Sequence, residues 1–506
     1  MSGLNFGVTV KAKPFMRPMY NLGCLFDIQT GSYSFGKHGE AILNGGLTLL
    51  TGVCGLPNTY KSTLAHFMLL TVLDRIPQAM GMVYDTEMST SENRFQKFAT
   101  RYNRLGKENI FFDQETNPVG RLLLTDSATS KGDQWFEQVK EYGVKKTDKE
   151  SAKLVMGTTP FSSKKTGELF QAMYPSIIEC DSLSRMPISS VDLILSKNAV
   201  GESGNNTEAF RSSHAKNQLL IQTPVLTAEA AMPMIFTAHV SDKLELSAYA
   251  PDVRKLAFLK QNLKLKYVPD QFNFLMNNLW FCFSAVKLVN ATTKAAEYPR
   301  NSDDVDKQSS DLMCITVMNL RGKYGASGLP YEYIVSQSDG LLVGLTNFNY
   351  LKQYERYGLA GNLQNYQLDI YPNVNLSRTT IRTKLDTDPR LERAMEITAE
   401  MCQIKNLWYD LPAELKTTPA QLYKDLTALG YDMNILLDTR GYWVFEGTDD
   451  PKHFLSTMDL LRMRAKLYHP YWYDAHCKQN NIESKVRWHI ETPPPPATTI
   501  QLDKVA

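Results

Sequence analysis

The sequence predicts an α/β fold with a mostly parallel, twisted sheet flanked by helices, and an added α+β region toward the C-terminus. An apolar run at 47–53 precedes a glycine loop, a helical pattern and a second apolar run at 81–87, which is the order of a parallel crossover unit. Two later apolar runs, at 176–184 and 232–242, end in polar residues, as strands do around a ligand in a doubly wound sheet.

The composition is that of an ordinary globular protein. Of 506 residues, 43% are hydrophobic and 21% charged, which disfavours disordered and fibrous classes and allows two or three domains. The net charge of +2 means that any site for a polyanion must be local. Seven scattered cysteines without a C-x-x-C pair favour a reducing, cytoplasmic compartment, and no apolar stretch approaches the ~20 residues that span a bilayer.

We expect four regions along the chain. After about residue 350 the sequence becomes aromatic and polar, and two amphipathic helices are predicted around 388–406 and 453–468. The regions are an N-terminal arm for subunit contact (1–26), the core (27–349), a C-terminal accessory domain (350–490) and a flexible, proline-rich tail (491–506). An aromatic cluster is expected to form the core of the accessory domain, with stacking on nucleic acid as the alternative: Tyr468, His469, Tyr471, Trp472 and Tyr473.

The glycine loop "GLPNTYKSTL" is close to a phosphate-binding loop. That pattern needs Gly, four residues and then Gly-Lys-Ser/Thr, so that backbone N–H groups turn inward around a phosphate. Gly55, Lys61 and Ser62 have the right spacing, whereas Tyr60 replaces the second glycine, which a negative φ at that residue would permit. The predicted nucleotide-binding residues are Gly55, Leu56, Pro57, Asn58, Thr59, Tyr60, Lys61, Ser62 and Thr63.

Phosphoryl transfer to water requires a phosphate cradle, a metal ion and a residue that orients or deprotonates the water. Lys61 is predicted to contact the terminal phosphates, and Ser62 and Asp181 to hold Mg²⁺. Glu87 is predicted to act on the attacking water. Each residue alone is more simply explained as a helix cap or a turn, but the four together, each at the end of a predicted strand or at a helix start, favour a site.

Several stretches together resemble the RecA/Rad51 family. "IQTGSYSFGKHGEAILNGGLTLLTGVCGLPNTYKSTL" is similar to the opening of that family's core, "VYDTE" to its strand ending in the catalytic glutamate, and "IIECDSLS" to its aspartate strand. The resemblance covers roughly residues 27–345, and the aromatic residue before the loop lysine is similar to the phage branch. It implies a RecA-like P-loop ATPase core that uses ATP and Mg²⁺.

The same resemblance implies roles for three further residues. His239 stands where the family keeps a polar sensor of the terminal phosphate, although a strand-end histidine is otherwise a hydrogen-bonded structural residue. Arg321 and Lys323 stand where two basic residues reach across a filament interface to the neighbour's nucleotide, although a basic turn is the simpler account.

Two polar segments, 196–218 and 241–274, stand where the family's DNA-binding loops lie. Lysines and arginines in flexible loops neutralise phosphates, although a charge run is more often a solvated face. The predicted DNA-binding residues are Arg211, His214 and Lys216 in the first segment, and Lys243, Arg254, Lys255, Lys260, Lys264 and Lys266 in the second.

The function implied by the resemblance is a DNA-dependent ATPase of recombination and repair. It would form helical filaments on single-stranded DNA, bind ATP between subunits and promote homologous pairing and strand exchange. Duplex DNA, a mediator or a single-strand-binding protein are further partners, and the compartment would be a host cytoplasm or an intracellular phage compartment. The alternatives are a hexameric replicative helicase, disfavoured by the roughly 26 residues before the core, and a nucleotide-responsive assembly protein whose hydrolysis Tyr60 weakens.

Overall fold

The computed structural model describes residues 17–163, 166–197, 208–243, 256–290, 292–301, 304, 310–362 and 364–488. Most of the N-terminal arm and the whole tail at 491–506 lie outside these ranges, as do Arg254 and Lys255. Within the described ranges, no helix combines the length and apolar character that a membrane crossing requires.

The described residues form the strands and helices that follow. The strands are β1 Tyr33–Phe35, β2 Ala41–Leu43, β3 Leu50–Gly55, β4 Met80–Asp85, β5 Leu122–Asp126, β6 Met156–Ser162, β7 Leu169–Met173, β8 Ser176–Asp181, β9 Met234–Asp242, β10 Leu263–Lys266, β11 Asn278–Lys287, β12 Leu312–Gly322, β13 Pro330–Ser336, β14 Gly340–Leu341, β15 Leu359–Gly361, β16 Asn365–Leu368 and β17 Tyr371–Ser377. The helices are α1 Lys61–Arg75, α2 Glu92–Ala99, α3 Gly132–Thr147, α4 Lys149–Leu154, α5 Ser189–Lys197, α6 Glu208–Glu229, α7 Gln271–Leu275, α8 Val343–Gln353, α9 Ile381–Thr387, α10 Pro389–Leu407, α11 Pro419–Ala428, α12 Met433–Leu437, α13 Thr457–Arg464 and α14 Tyr473–Gln479.

A ten-stranded central sheet confirms the mixed α/β class. Its strand order is β14-β13-β12-β11-β3-β9-β8-β4-β5, and β10 pairs with the end of β9. The pairs from β11 through β5 are parallel, whereas β12, β13, β14 and β10 are antiparallel. Every residue of β3 and β8 is buried, as expected for parallel strands covered by helices on both faces.

The four strands predicted for the core are all present, with two differences at their ends. β4 ends at Asp85, so Glu87 lies in the turn beyond the strand. β9 continues to Asp242, so His239 is inside the strand rather than at its end. The extension of β9 follows from its antiparallel pairing with β10, a long-range contact that an apolar run does not indicate.

The C-terminal region and the core are not separated at residue 350. That position falls inside α8, and residues from both sides of it belong to one hydrophobic cluster. Residues 17–26 of the predicted arm also pack within their own chain, where Leu22 is 1% exposed. Nearby, the Trp408 Nε1–H group donates to the Ile28 carbonyl over 2.9 Å and the Trp443 Nε1–H group to the Met19 carbonyl over 3.0 Å.

The aromatic cluster near the C-terminus is mainly core. Tyr468, Trp472 and Tyr473 are at most 5% exposed, as expected for a packed domain. Tyr471 is 59% exposed, and its ring stacks on His38 with centroids 3.8 Å apart. The amphipathic helices predicted around 388–406 and 453–468 correspond to α10 and the shorter α13.

The two segments expected to be DNA-binding loops are partly regular. Residues 208–218 belong to α6, and the second segment contains β10 and all but the last residue of α7. The Gly-, Asn- and Ser-rich composition that indicated a loop is concentrated in 198–207, outside the described residues. Beyond it, buried side chains such as Leu219 and Leu220 pack α6 against the protein, which favours a helix.

Candidate active site

Strand pairing brings the predicted site residues to one edge of the central sheet. Gly55 at the end of β3 is opposite His239 on β9, and Asp181 at the end of β8 is opposite Asp85 on β4. Because these four strands are parallel neighbours, their carboxyl ends form one continuous edge. The glycine loop, His239, Asp181 and the turn carrying Glu87 therefore surround the same space.

The glycine loop is tightly built at its first residue. A Cβ atom on Gly55 would lie 2.5 Å from the Thr59 hydroxyl oxygen and 2.9 Å from the carbonyl oxygen of Cys282. The same hydroxyl of Thr59 donates to the Leu56 carbonyl over 2.8 Å. Glycine is required here because the loop folds back over the end of β3 and leaves no room for a side chain.

Tyr60 has a left-handed backbone, with φ of 61° and ψ of 27°. The expectation of a negative φ at this residue is therefore wrong, because the loop takes the conformation that its usual glycine would supply. Such a conformation costs a non-glycine residue about 1–2 kcal/mol. The Tyr60 ring is partly buried against the main hydrophobic cluster, and this packing offsets the strain.

Lys61 begins α1 and is 8% exposed, while Thr63 is 2% exposed and Ser62 is partly buried. The first N–H groups of α1 have no partner within the helix, and together with the helix dipole they favour an anion. The charge of Lys61 also contributes to lowering the pKa of Glu87. The helix start and the β4 turn therefore face each other across the site.

Asp85 positions Glu87. Its carboxylate oxygens accept the N–H of Glu87 over 2.9 Å and the N–H of Thr90 over 2.6 Å, which closes the turn after β4. The turn is joined to the end of β8 because the Thr86 hydroxyl bonds with both the N–H and the carbonyl of Ser182. Glu87 is thus held beside Asp181 without being part of either strand.

Glu87 pairs with His239. The two atoms Nε2 of His239 and Oε1 of Glu87 are 2.5 Å apart, and the Ser182 hydroxyl donates to the same oxygen over 2.9 Å. A carboxylate can only accept, so Nε2 of His239 carries the proton. The His239 hydrogen bond, together with the weaker Ser182 hydrogen bond, lowers the pKa of Glu87 to about 2. In this arrangement Glu87 is an ionised hydrogen-bond acceptor and too weak a base to deprotonate water readily.

Asp181 is 2% exposed and accepts a short hydrogen bond from the Thr237 hydroxyl. Its carboxylate and the Ser62 hydroxyl are oxygen donors of the kind that Mg²⁺ prefers. His66, Glu179 and Asp181 also offer ligand atoms within 4.8 Å of one another. Nδ1 of His66 and Oε1 of Glu179 are 2.7 Å apart, so within this buried group these two residues pair with each other.

Arg321 and Lys323 lie at the opposite edge of the sheet. Gly322 between them pairs with Asn278, which in turn pairs with Thr51 near the start of β3. Thr51 and Gly55 are four positions apart along β3, a distance of about 13 Å. Lys323 Nζ donates to the carbonyl oxygen of Leu275 over 3.1 Å. Within one chain these two cations do not join the site.

The predicted DNA-binding residues in the described ranges fall into two groups. Most have exposed or partly exposed side chains: Arg211, His214, Lys243, Lys260, Lys264 and Lys266. Lys216 differs, because it is 2% exposed and donates to the backbone carbonyls of Ser184 and Tyr267. The expectation that Lys216 contacts phosphates is not supported by this position, since its ammonium group is turned into the protein.

Sequence reasoning missed the residues that support the site. Ser182, Ser184, Thr86 and Thr237 hold Glu87, His239 and Asp181 through hydrogen bonds. In the sequence, these residues appear only as serines and threonines beside or within the predicted strands. Such residues are common in any turn, so they do not by themselves indicate a site. No family model matches the sequence, and comparison with curated proteins likewise gave no match.

Proposed function

We propose that this protein is a RecA-like, DNA-dependent P-loop ATPase that forms filaments on single-stranded DNA and promotes homologous pairing and strand exchange. The observation that carries the proposal is the convergence of the Lys61 loop, the Glu87–His239 pair and Asp181 at one edge of a parallel sheet. Separate strand ends supply each function that phosphoryl transfer requires.

The proposed chemistry assigns one task to each residue. The N–H groups of the loop and the ammonium group of Lys61 bind the phosphates of ATP, and Ser62 and Asp181 hold Mg²⁺, which neutralises developing phosphate charge. Glu87 orients the attacking water through its carboxylate. His239 holds that carboxylate in place over 2.5 Å and connects it to β9.

The position of Arg321 and Lys323 supports an assembly of subunits. A head-to-tail contact places one edge of a subunit against a different edge of its neighbour, and it repeats as a helix or closes as a ring. Cations at the edge opposite Lys61 would then complete a neighbour's site. The same geometry keeps the ring-forming helicase as the second candidate.

Electron microscopy with single-stranded DNA and a slowly hydrolysed ATP analogue tests the proposal. Extended filaments are expected, whereas closed rings favour the helicase and the absence of either favours the assembly protein. DNA-dependent ATP turnover should accompany the filaments. Lys61→Ala should abolish turnover, and turnover that survives this substitution would show that the nucleotide site is elsewhere.

A further inference from the structure

His66 and Glu179 form a polar pair in the interior of the core. Their side chains are 1% and 0% exposed, and Nδ1 of His66 lies 2.7 Å from Oε1 of Glu179. A nitrogen and an oxygen this close share a proton, because their lone pairs would otherwise repel each other. Within the described ranges, the Glu179 carboxylate has no other polar partner. The contact between the two residues is therefore what compensates the burial of this carboxylate.

The pair joins the two elements that carry the proposed Mg²⁺ ligands. His66 is in α1 with Ser62, and Glu179 is in β8, which ends at Asp181. Residues four apart on a helix lie on one face, and alternate residues of a strand point to the same side of a sheet. His66 is therefore one turn beyond Ser62 on the same face of α1, and Glu179 shares a side of the sheet with Asp181.

The two spacings match in length and direction. Four residues of an α-helix rise about 6 Å, and two residues of a strand rise about 6.6 Å. α1 connects β3 to β4, which point the same way in the sheet, so α1 runs back along the strands. The His66–Glu179 contact thus lies one step below the level of Ser62 and Asp181. The ligand atom of Asp181 is within 4.8 Å of those of the pair, which agrees with this placement.

The His66 ring is held in place from its other side by α2. The ring of Phe95, which is 0% exposed, has its centre 4.3 Å from that of His66, and the Phe98 ring centre is 6.4 Å away. Because the interior is closely packed, the imidazole cannot turn from Glu179 without displacing α2.

A polar pair is not the simplest way to fill this space. Replacing a buried ion pair with apolar residues of similar volume often leaves stability unchanged or raises it, so stability alone does not explain the pair. Apolar contacts are non-directional, whereas a hydrogen bond weakens steeply when its distance or angle changes. What the pair adds is a fixed position of α1 along β8.

We propose that His66 and Glu179 are positioning residues that set the separation of Ser62 and Asp181, and with it the placement of Mg²⁺. This inference rests on the proposed function and adds the residues that align its metal ligands. Without the contact, α1 shifts along β8 and the two oxygen donors no longer meet at one cation. Affinity for the metal and ATP turnover then fall, while the loop N–H groups and Lys61 still bind the phosphates.

The double variant His66→Leu/Glu179→Leu tests the inference, because it removes both polar partners and keeps the space filled. Electron paramagnetic resonance measures the Mn²⁺ concentration that half-saturates the protein in the presence of a non-hydrolysed ATP analogue, and turnover is measured against Mg²⁺. Both half-saturating concentrations should rise about tenfold or more, as when a metal ligand loses an outer partner. Binding of the analogue without metal should change little, and the midpoint of thermal unfolding should not fall.

Two further variants separate positioning from general effects on the core. Glu179→Gln should keep Mn²⁺ half-saturation near the wild-type value, because its amide can accept from or donate to Nδ1 of His66. Thr71→Val is the matched control on α1, where it removes the 3.2 Å contact between the Thr71 and Tyr102 hydroxyls, nine residues beyond Ser62. It should leave Mn²⁺ half-saturation unchanged.

His66→Phe serves if the double variant does not fold, because its ring keeps the packing on Phe95 and lacks the nitrogens. It should raise the Mn²⁺ half-saturating concentration in the same way. A folded variant without the pair that keeps the wild-type Mn²⁺ value would overturn the inference alone, and so would a Glu179→Gln protein as impaired as the double variant. A wild-type protein that neither binds nor hydrolyses ATP would instead overturn the proposed function.

Discussion

Nε2 of His239 lies 2.5 Å from Oε1 of Glu87, although 152 residues separate the two in the chain. The contact exists because β4 and β9 flank β8 in the central sheet. It keeps Glu87 ionised and fixes its orientation, so replacing His239 is expected to change the pKa of Glu87.

Replacing His239 with alanine should raise the pKa of Glu87 from about 2 toward the ordinary value of 4.5. The hydrogen bond from His239 is the largest cause of the lowered pKa, and Ser182 contributes less. Carbon-detected NMR titration of the glutamate side chains measures this directly. Ser182→Ala is the control and should give a smaller rise.

The same substitution should change acid stability. A lowered folded-state pKa contributes stability that is present above about pH 4.5 and is lost as the pH falls toward 2. In His239→Ala the free energy of unfolding should therefore fall less between pH 5 and 2.5 than in the wild type. Urea unfolding of both proteins across this pH range measures the difference. Identical pH dependence in both proteins would mean that the pair does not form in solution.

The left-handed backbone at Tyr60 predicts a difference between two small substitutions. Tyr60→Gly and Tyr60→Ala both remove the ring, but only glycine adopts positive φ without strain. The glycine variant should therefore be more stable by about 1 kcal/mol in the free energy of unfolding. Denaturant titration of the two variants checks this, and equal stabilities would contradict the left-handed conformation.

Arg321 should act on the neighbouring subunit if the proposed assembly is correct. Lys61→Ala and Arg321→Ala should each be inactive alone, since each removes one half of every shared site. In a 1:1 mixture half of the subunits keep Lys61 and the other half keep Arg321. About a quarter of the contacts between subunits then combine Lys61 of one subunit with Arg321 of its neighbour. The mixture should recover roughly that fraction of wild-type turnover, and no recovery would mean that Arg321 does not complete a neighbour's site.

Glu400 predicts a loss of stability in alkaline solution. It is 5% exposed, it accepts the Thr457 hydroxyl over 2.5 Å, and burial with the nearby charge of Glu396 raises its pKa to about 8. Because the folded-state pKa is raised, the stability it contributes is full below about pH 4.5 and is lost as the pH rises through 8.

Glu400→Gln should reduce this loss, because the amide oxygen still accepts from Thr457 and carries no charge. The variant should gain on the order of 1 kcal/mol in the free energy of unfolding at pH 8.5 and less at pH 5. Thermal unfolding of both proteins between pH 5 and 8.5 measures this gain in stability. Glu414→Gln, at an exposed glutamate, should leave the pH dependence as in the wild type.

The sequence by itself determined the local order of the core. Apolar runs predicted β3, β4, β8 and β9, and the spacing of Gly55, Lys61 and Ser62 predicted the loop and the start of α1. These features follow from side-chain periodicity and from backbone conformations that act over a few residues. A residue such as Asp181 was found because it ends an apolar strand.

Only the tertiary structure decided what depends on contacts between distant segments. The His239–Glu87 pair requires the strand order of the sheet, and the burial of Lys216 requires α6 to pack beside Ser184 and Tyr267. The left-handed backbone at Tyr60 goes against its residue type and is offset by packing against the core. Local sequence carries no information on such contacts, because their free energy comes from groups that folding alone brings together.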